Sequence, residues 1–408
     1  MLERTESLEN RYEISEKVKL FAGIAAIAGI LLIIVGILTT QGELRATRFW
    51  SSLLYNNLFF TWIAICAAFF ITAFGLGYSG WHTLVKRIPE AIGHYMFIGL
   101  PLILVIFFLG GHSIYEWTHD DIMAHDGIMQ AKKWWLNSPT FVIFSLIWII
   151  SLCFMFWKVR QNSLKLDRTG DYKVFSKSLV LSAGFLFFFA VANSVSTWHW
   201  VMSTEPHWYS TLYAWYLFAS ALVSMFAVMV IILAFLKRSG YLPYVNINHF
   251  HDLGKFLFAF SIFWTYLWFS QHMLIWYANI PEETIHFEYL YKNHGFLFWF
   301  SFAINFFVPL IVLMSRDAKR NISTLLFVSV VILCGHWIDF FLMIRPGTEK
   351  LIGHELHETV IMQIGLTEIG IAFAFIGLFA FVVLWALGRA NIVPLNHPFE
   401  RESIEHHI

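Results

Sequence analysis

No charged residue occurs from Phe59 to Gly75, from Phe97 to Gly110 or from Ile369 to Gly388. Segments this apolar belong in hydrocarbon, where every backbone N–H and C=O must find its partner within the chain. Only helices or a closed barrel meet that demand. Barrel strands alternate polar and apolar residues over about ten positions, and these runs are longer and do not alternate. The chain therefore reads as all-α, a polytopic integral membrane protein. Ten runs are predicted as spans, at 18–39, 57–79, 91–111, 139–158, 177–198, 212–236, 253–278, 293–315, 322–344 and 365–388. Each has about the 20 residues that cross about 30 Å of hydrocarbon.

Composition narrows the classes that remain. Only 13% of residues are charged, with 58% hydrophobic and 19% aromatic; a soluble domain averages about 25% charged. No stretch between the spans is long enough for a separate soluble domain, so residues 1–408 read as one transmembrane domain. The formal net charge is zero, which argues for neither nucleic acid nor an acidic partner. Cys66, Cys153 and Cys334 stand singly inside predicted spans and read as small buried hydrophobes. There is no C-x-x-C-H for covalent haem and no cysteine cluster for iron–sulfur ligation. No metal ligand set is expected. The polar N-terminal stretch leads into the run at 18–39, which lacks a small-residue cleavage site and reads as a retained first helix.

Orientation follows the cations. Loops after odd-numbered spans hold Arg45, Arg48, Lys132, Lys133, Lys292, Arg345 and Lys350; the other 20 of the 27 Lys and Arg lie in the tails or after even-numbered spans. Both termini are expected in the cytoplasm. His112 and His272 end the third and seventh spans, each followed by aromatics. That weak echo fits two four-helix bundles, 57–198 and 212–344, with 18–39 and 365–388 as flanking helices; coincidence explains it equally well.

Ionisable side chains inside spans are costly and mark pathways or sites. His336 and Asp339 are three residues apart on one face of the ninth span, and Glu368 opens the tenth. With His112 and His272 they fall at the periplasmic end. The adjoining loops add more His, Asp and Glu, so that 11 of the 18 histidines belong to this side. Imidazoles near pH 6.5 beside partly buried carboxylates can accept and release protons near neutrality. His112, His272, His336, Asp339 and Glu368 are therefore the candidates for a proton path or quinone-facing surface. Ser182 and Asn193 on the fifth span, and His82 and His94 at the cytoplasmic side, are weaker candidates for the same path. Each set also has a plainer reading, as structural hydrogen bonds, helix-packing polar residues or a surface that holds partner subunits. No catalytic residue is assigned.

Two stretches go beyond composition: Trp200 to Thr211 (WVMSTEPHWYST) and Phe263 to Thr284 (FWTYLWFSQHMLIWYANIPEET). With the ten runs and Asn305 in the eighth, they resemble the ActF family, quinone-binding subunit 2 of bacterial alternative complex III, within the wider NrfD/PsrC-like membrane proteins. The resemblance spans essentially the whole chain. It implies two four-helix bundles with two flanking helices, in a subunit of a respiratory quinol:cytochrome c oxidoreductase that binds no cofactor of its own. Menaquinol or another quinol is the implied substrate of the assembly. Implied partners are an NrfD-like sister subunit, an iron–sulfur subunit, haem c subunits, membrane lipid and a terminal oxidase. The implied role is a scaffold with a proton path or quinone-facing surface at the periplasmic side. The residues themselves leave two alternatives open, a secondary transporter and a purely structural anchor.

Overall fold

A computed structural model describes residues 11–13, 16–40, 42 and 44–407. The polar stretch up to Asn10 lies outside them. Ten long helices dominate: α1 (Glu16–Thr39), α2 (Leu44–Leu76), α3 (Arg87–Ser113, with a 3-10 turn at Gly93–Tyr95), α4 (Ser138–Thr169) and α5 (Tyr172–Trp200). They continue with α6 (Tyr213–Arg238), α7 (Ile247–Ala278), α8 (Pro281–Val312), α9 (Ile322–Leu356) and α10 (Leu366–Leu387). Among the described residues, α2 to α10 are the nine helices long and apolar enough to cross a membrane; α1 adds 24 residues with the apolar stretch Ile27–Thr39. The chain is an all-α polytopic membrane protein.

Several helices outrun the predicted spans, because capping chemistry sets helix ends and hydropathy does not. Asn246 and His249 form a reciprocal cap that starts α7 before its apolar run. Pro281 opens α8, so Glu282, Glu283 and His286 lie on a helix rather than in a loop. Asn321 caps α9, which runs through Pro346 and ends only at His357, at φ 53°. α8 is kinked at His294, whose backbone is non-helical (φ −127°, ψ 19°).

α2, α3, α4 and α5 each pack on the next, and α5 closes back on α2; α6, α7, α8 and α9 close a second ring in the same way. The rings meet where α2 and α5 touch α6 and α2 touches α9. That junction explains why 78% of the apolar stretch of α2 and 89% of that of α6 is buried. α1 and α10 lie side by side outside the rings, and α10 rests on α2. A Cβ on Gly29 would come within 2.7 Å of the Ala374 nitrogen, and one on Gly36 would collide with Thr367. Small residues let these two backbones approach closely.

Both tails meet at one end of the bundle, called here the terminal end, where Arg11 bridges Asn391. The segment after α10 straps both rings there. Leu395 N–H donates to Asp167 Oδ1 at 3.1 Å, Ser403 Oγ donates to the Trp81 carbonyl at 2.6 Å, and Asn246 Nδ2 donates to the His406 carbonyl at 2.8 Å. The far end is formed by the α5–α6 and α7–α8 connections, the end of α9 and the start of α10.

Candidate functional site

The second ring holds an isolated carboxylate. Asp339 on α9 accepts hydrogen bonds from Tyr216 Oη and Ser220 Oγ (2.8 Å) on α6 and from Trp264 Nε1 (3.1 Å) on α7. His336, one turn earlier on α9, places Nδ1 2.9 Å from Ser220 Oγ and 3.7 Å from Asp339 Oδ2. Both side chains are buried, at 0% and 3% exposure. Ser220 has one proton, and it goes to Asp339. Nδ1–H of His336 therefore donates to Ser220 Oγ, which leaves a lone pair on Nε2. That Nε2 is buried and has no hydrogen-bond partner. Among the described residues no Lys or Arg reaches ion-pair distance of Asp339. This carboxylate is held only by neutral donors and an imidazole, with no fixed countercharge beside it.

A cavity of ≈ 30 Å³ touches Asp339, Tyr216, Gln271, Ser301 and His286. It is large enough for a water. His286 Nδ1 lies 3.0 Å from Glu205 Oε1, and Lys350 Nζ donates to Glu205 Oε2 at 2.5 Å. Burial raises the Glu205 carboxyl, but His286 and Lys350 outweigh it and hold the group down at about 2. The polar line thus runs from His336 through Ser220 and Asp339, across the cavity, to His286, Glu205 and the half-exposed Lys350 at the far end.

Two other buried acids at this end differ from each other: Glu368 is clamped by cations, whereas Glu349, like Asp339, has only neutral donors and an imidazole. Glu368 lies between Arg345 Nη2 (2.8 Å) and Arg48 Nη2 (2.7 Å), and it also caps α10 through Gly365 N–H (2.9 Å). Glu349 accepts from Tyr289 Oη at 3.0 Å and the Met362 N–H at 2.5 Å, with His294 Nε2 at 2.8 Å. At the terminal end of the first ring, Glu90 is held by Arg87 and Arg160 and accepts from Ser163 Oγ at 2.7 Å.

Of the five leading candidates, the fold joins His336 and Asp339 and places Glu368 in a separate ion cluster. His112 is exposed and stacks on His119, ring centres 3.7 Å apart. His272 is half-buried against Trp268, with Tyr291 Oη 2.9 Å from Nδ1. Among the weaker candidates, His82 and Ser182 line one small cavity with Lys86 and His397 near the terminal end. Burial, then the neighbouring Lys86, lowers His82 to about 3. His94 Nδ1 bonds the Glu90 carbonyl one turn back, at 2.8 Å. Asn193 ties the rings, accepting from Trp62 Nε1 (3.2 Å) and donating to the Ala214 carbonyl (3.0 Å).

Reading the sequence alone passed over Tyr216, Ser220 and Trp264, and counted Arg48 and Arg345 merely as loop cations. One signal was present: Tyr216, Ser220 and Ser224 recur every four residues in an otherwise apolar run, one polar stripe on α6. No protein-family model matches the chain, and a search of curated proteins gives no match.

Proposed function

We propose that this chain is the ActF-like membrane subunit of a quinol:cytochrome c oxidoreductase, in a bacterial inner membrane with both termini in the cytoplasm. In this reading it carries no redox centre of its own, scaffolds its partners, and takes up and discharges protons through the second ring at the periplasmic side. The observation that carries the reading is the His336–Ser220–Asp339 array: buried, without a fixed countercharge, and adjoining a water-sized cavity that leads to His286 and Glu205. Quinol oxidation liberates two protons, and such an array gives them a route. The two likeness-bearing stretches add weight, since Trp264 comes from one and Glu205 comes from the other.

Extraction in mild detergent should bring the chain down with haem c and iron–sulfur polypeptides. In that complex, Asp339→Asn and His336→Ala should lower quinol oxidation or its proton release while all subunits remain. Unchanged turnover and coupling in an intact complex would make the array structural. Two rings in series also suit a secondary transporter; a lone chain that moves a solute across liposomes would favour that reading instead.

A further inference from the structure

At its terminal end the first ring buries more cations than acids. Lys86, Arg87 and Arg160 are all buried there. Two carboxylates answer them: Glu90 is held by Arg87 and Arg160, and Asp167 by Arg87. Lys86 Nζ lies 4.0 Å from Glu90 Oε1 and donates no hydrogen bond to a described residue. Three cations against two acids leave one positive charge, and it rests on Lys86. Glu402 lies against Gly80 nearby, but it is exposed and outside ion-pair distance of Lys86.

Lys86 lines a cavity of ≈ 20 Å³ between α2, the short Trp81–Val85 turn, α4, α5 and the strap after α10. Its polar wall includes His82, His397, Asn162, Ser178 and Ser182, and among the described residues no acid lines it. Asn162, Ser178 and Ser182, like Lys86, make no side-chain hydrogen bond to a described residue. Lys86 and Ser182 are only 9% and 3% exposed, yet neither polar head is sealed off by protein. The space those heads reach is this cavity. His397 Nδ1 accepts from the Phe399 N–H at 3.3 Å, so the proton of the neutral ring is on Nε2. Burial, then the neighbouring Lys86, lowers both His82 and His397, so neither imidazole adds a charge.

We propose that this cavity is a binding site for one small monovalent anion of the chloride class, held by Lys86 Nζ with hydroxyl, amide and imidazole donors from Ser178, Ser182, Asn162 and His397. Donors and charge choose the occupant. A metal cation would find an ammonium in the wall and no carboxylate. A phosphate or a lipid headgroup is too large for a space that takes about one water. A water would satisfy the donors but leave the buried charge uncompensated, and an unpaired buried charge is costly. A halide answers both. It would also tie the start of α3 to α4, α5 and the strap. The site stands apart from the His336–Asp339 array and does not depend on the proton route.

Thermal melting of the full-length chain in mild detergent tests this, with gluconate replacing chloride at constant ionic strength. Chloride should raise the melting temperature along a saturating curve, because a ligand held only by the folded state stabilises it by mass action. Bromide should substitute for it. Ser182→Ala removes one small hydroxyl and should raise the half-maximal chloride concentration about tenfold. Lys86→Met should abolish the response; where that variant does not fold, Ser182→Ala decides. Broadening of the chloride nuclear resonance line, reversed by bromide, should follow the same order. Equal melting in chloride and gluconate would mean a water beside an uncharged lysine and would overturn the proposal. So would a chloride response that both variants retain in full, the mark of an adventitious ion only.

Discussion

Glu368 and Asp339 are buried in the same half of the bundle, yet their neighbours give them different chemistry. Glu368 touches two guanidinium groups, whereas Asp339 touches a phenol, a hydroxyl and an indole. Removing one partner of a buried ion pair leaves the other charge stranded, at about 3–5 kcal/mol. Arg345→Ala should therefore lower the melting temperature in detergent, by an amount near the bottom of that range because Arg48 remains. Arg48→Met/Arg345→Met/Glu368→Leu should recover most of the loss, since apolar side chains replace all three ions. A triple variant as unstable as the single one would show that the cluster contributes more than charge balance. At the terminal end, His82 has an ordinary value of 6.5 and is held at about 3 by burial and Lys86; His397 is lowered in the same sense. Between those limits the unfolded chain binds a proton that the folded chain refuses. Stability should then be intact above about pH 6.5 and fall as pH drops towards 3. Glu205, held below its usual 4.5, adds a loss of the same sign in the lower part of that window. Melting at pH 7.5 and pH 5.0 checks the sign, and His82→Gln/His397→Gln should flatten the slope.

The helices themselves were legible as apolar runs, because a bilayer demands about 20 such residues whatever they pack against. Their ends were less so. Asn246, Pro281 and Asn321 start α7, α8 and α9 by local hydrogen bonding or by a preset φ, and α7 and α8 begin well before hydrocarbon would begin. Two consequences for the site follow. His286 becomes a rigid helix residue facing Glu205, and Arg345 and Glu349 become members of α9 rather than of a loop. Arg345 is nine residues from His336, which turns it about 180° around the helix. One helix therefore presents the His336–Asp339 pair to α6 and α7 and a clamped cation to α2 and α10. At the contact of α1 with α10, Gly29→Leu should cost about 1–3 kcal/mol through overpacking, because the added atoms meet Ala374 and Gly370 backbone. Faster proteolysis of α1, with the two rings intact, is the expected readout.

At the scale of the molecule, α6 closes one ring and lines the junction with the other, with its polar stripe turned to α9 inside the second ring. The strap after α10 holds Asp167 of the first ring and Asn246 of the second. Deleting residues 395–408 should lower the melting temperature and expose the terminal ends of both rings to hydrogen exchange, while exchange around Asp339 stays slow. A cysteine placed at Ser210 should react with an impermeant maleimide added to intact cells, and one at Ser239 only after permeabilisation; the reverse pattern would turn the proposed proton route towards the wrong side. By itself, the amino-acid sequence determined the solvent and the helical class, because partition into hydrocarbon depends on composition along a run and not on neighbours. It also pointed to His336 and Asp339, since three residues on a helix share a face wherever that helix lies. Only tertiary structure decided which acids are free and which are clamped. Tyr216, Ser220, Trp264, Arg48 and Arg345 reach their carboxylates from segments tens to hundreds of residues away, and the state of a buried charge is set by what touches it, not by what precedes it in the chain.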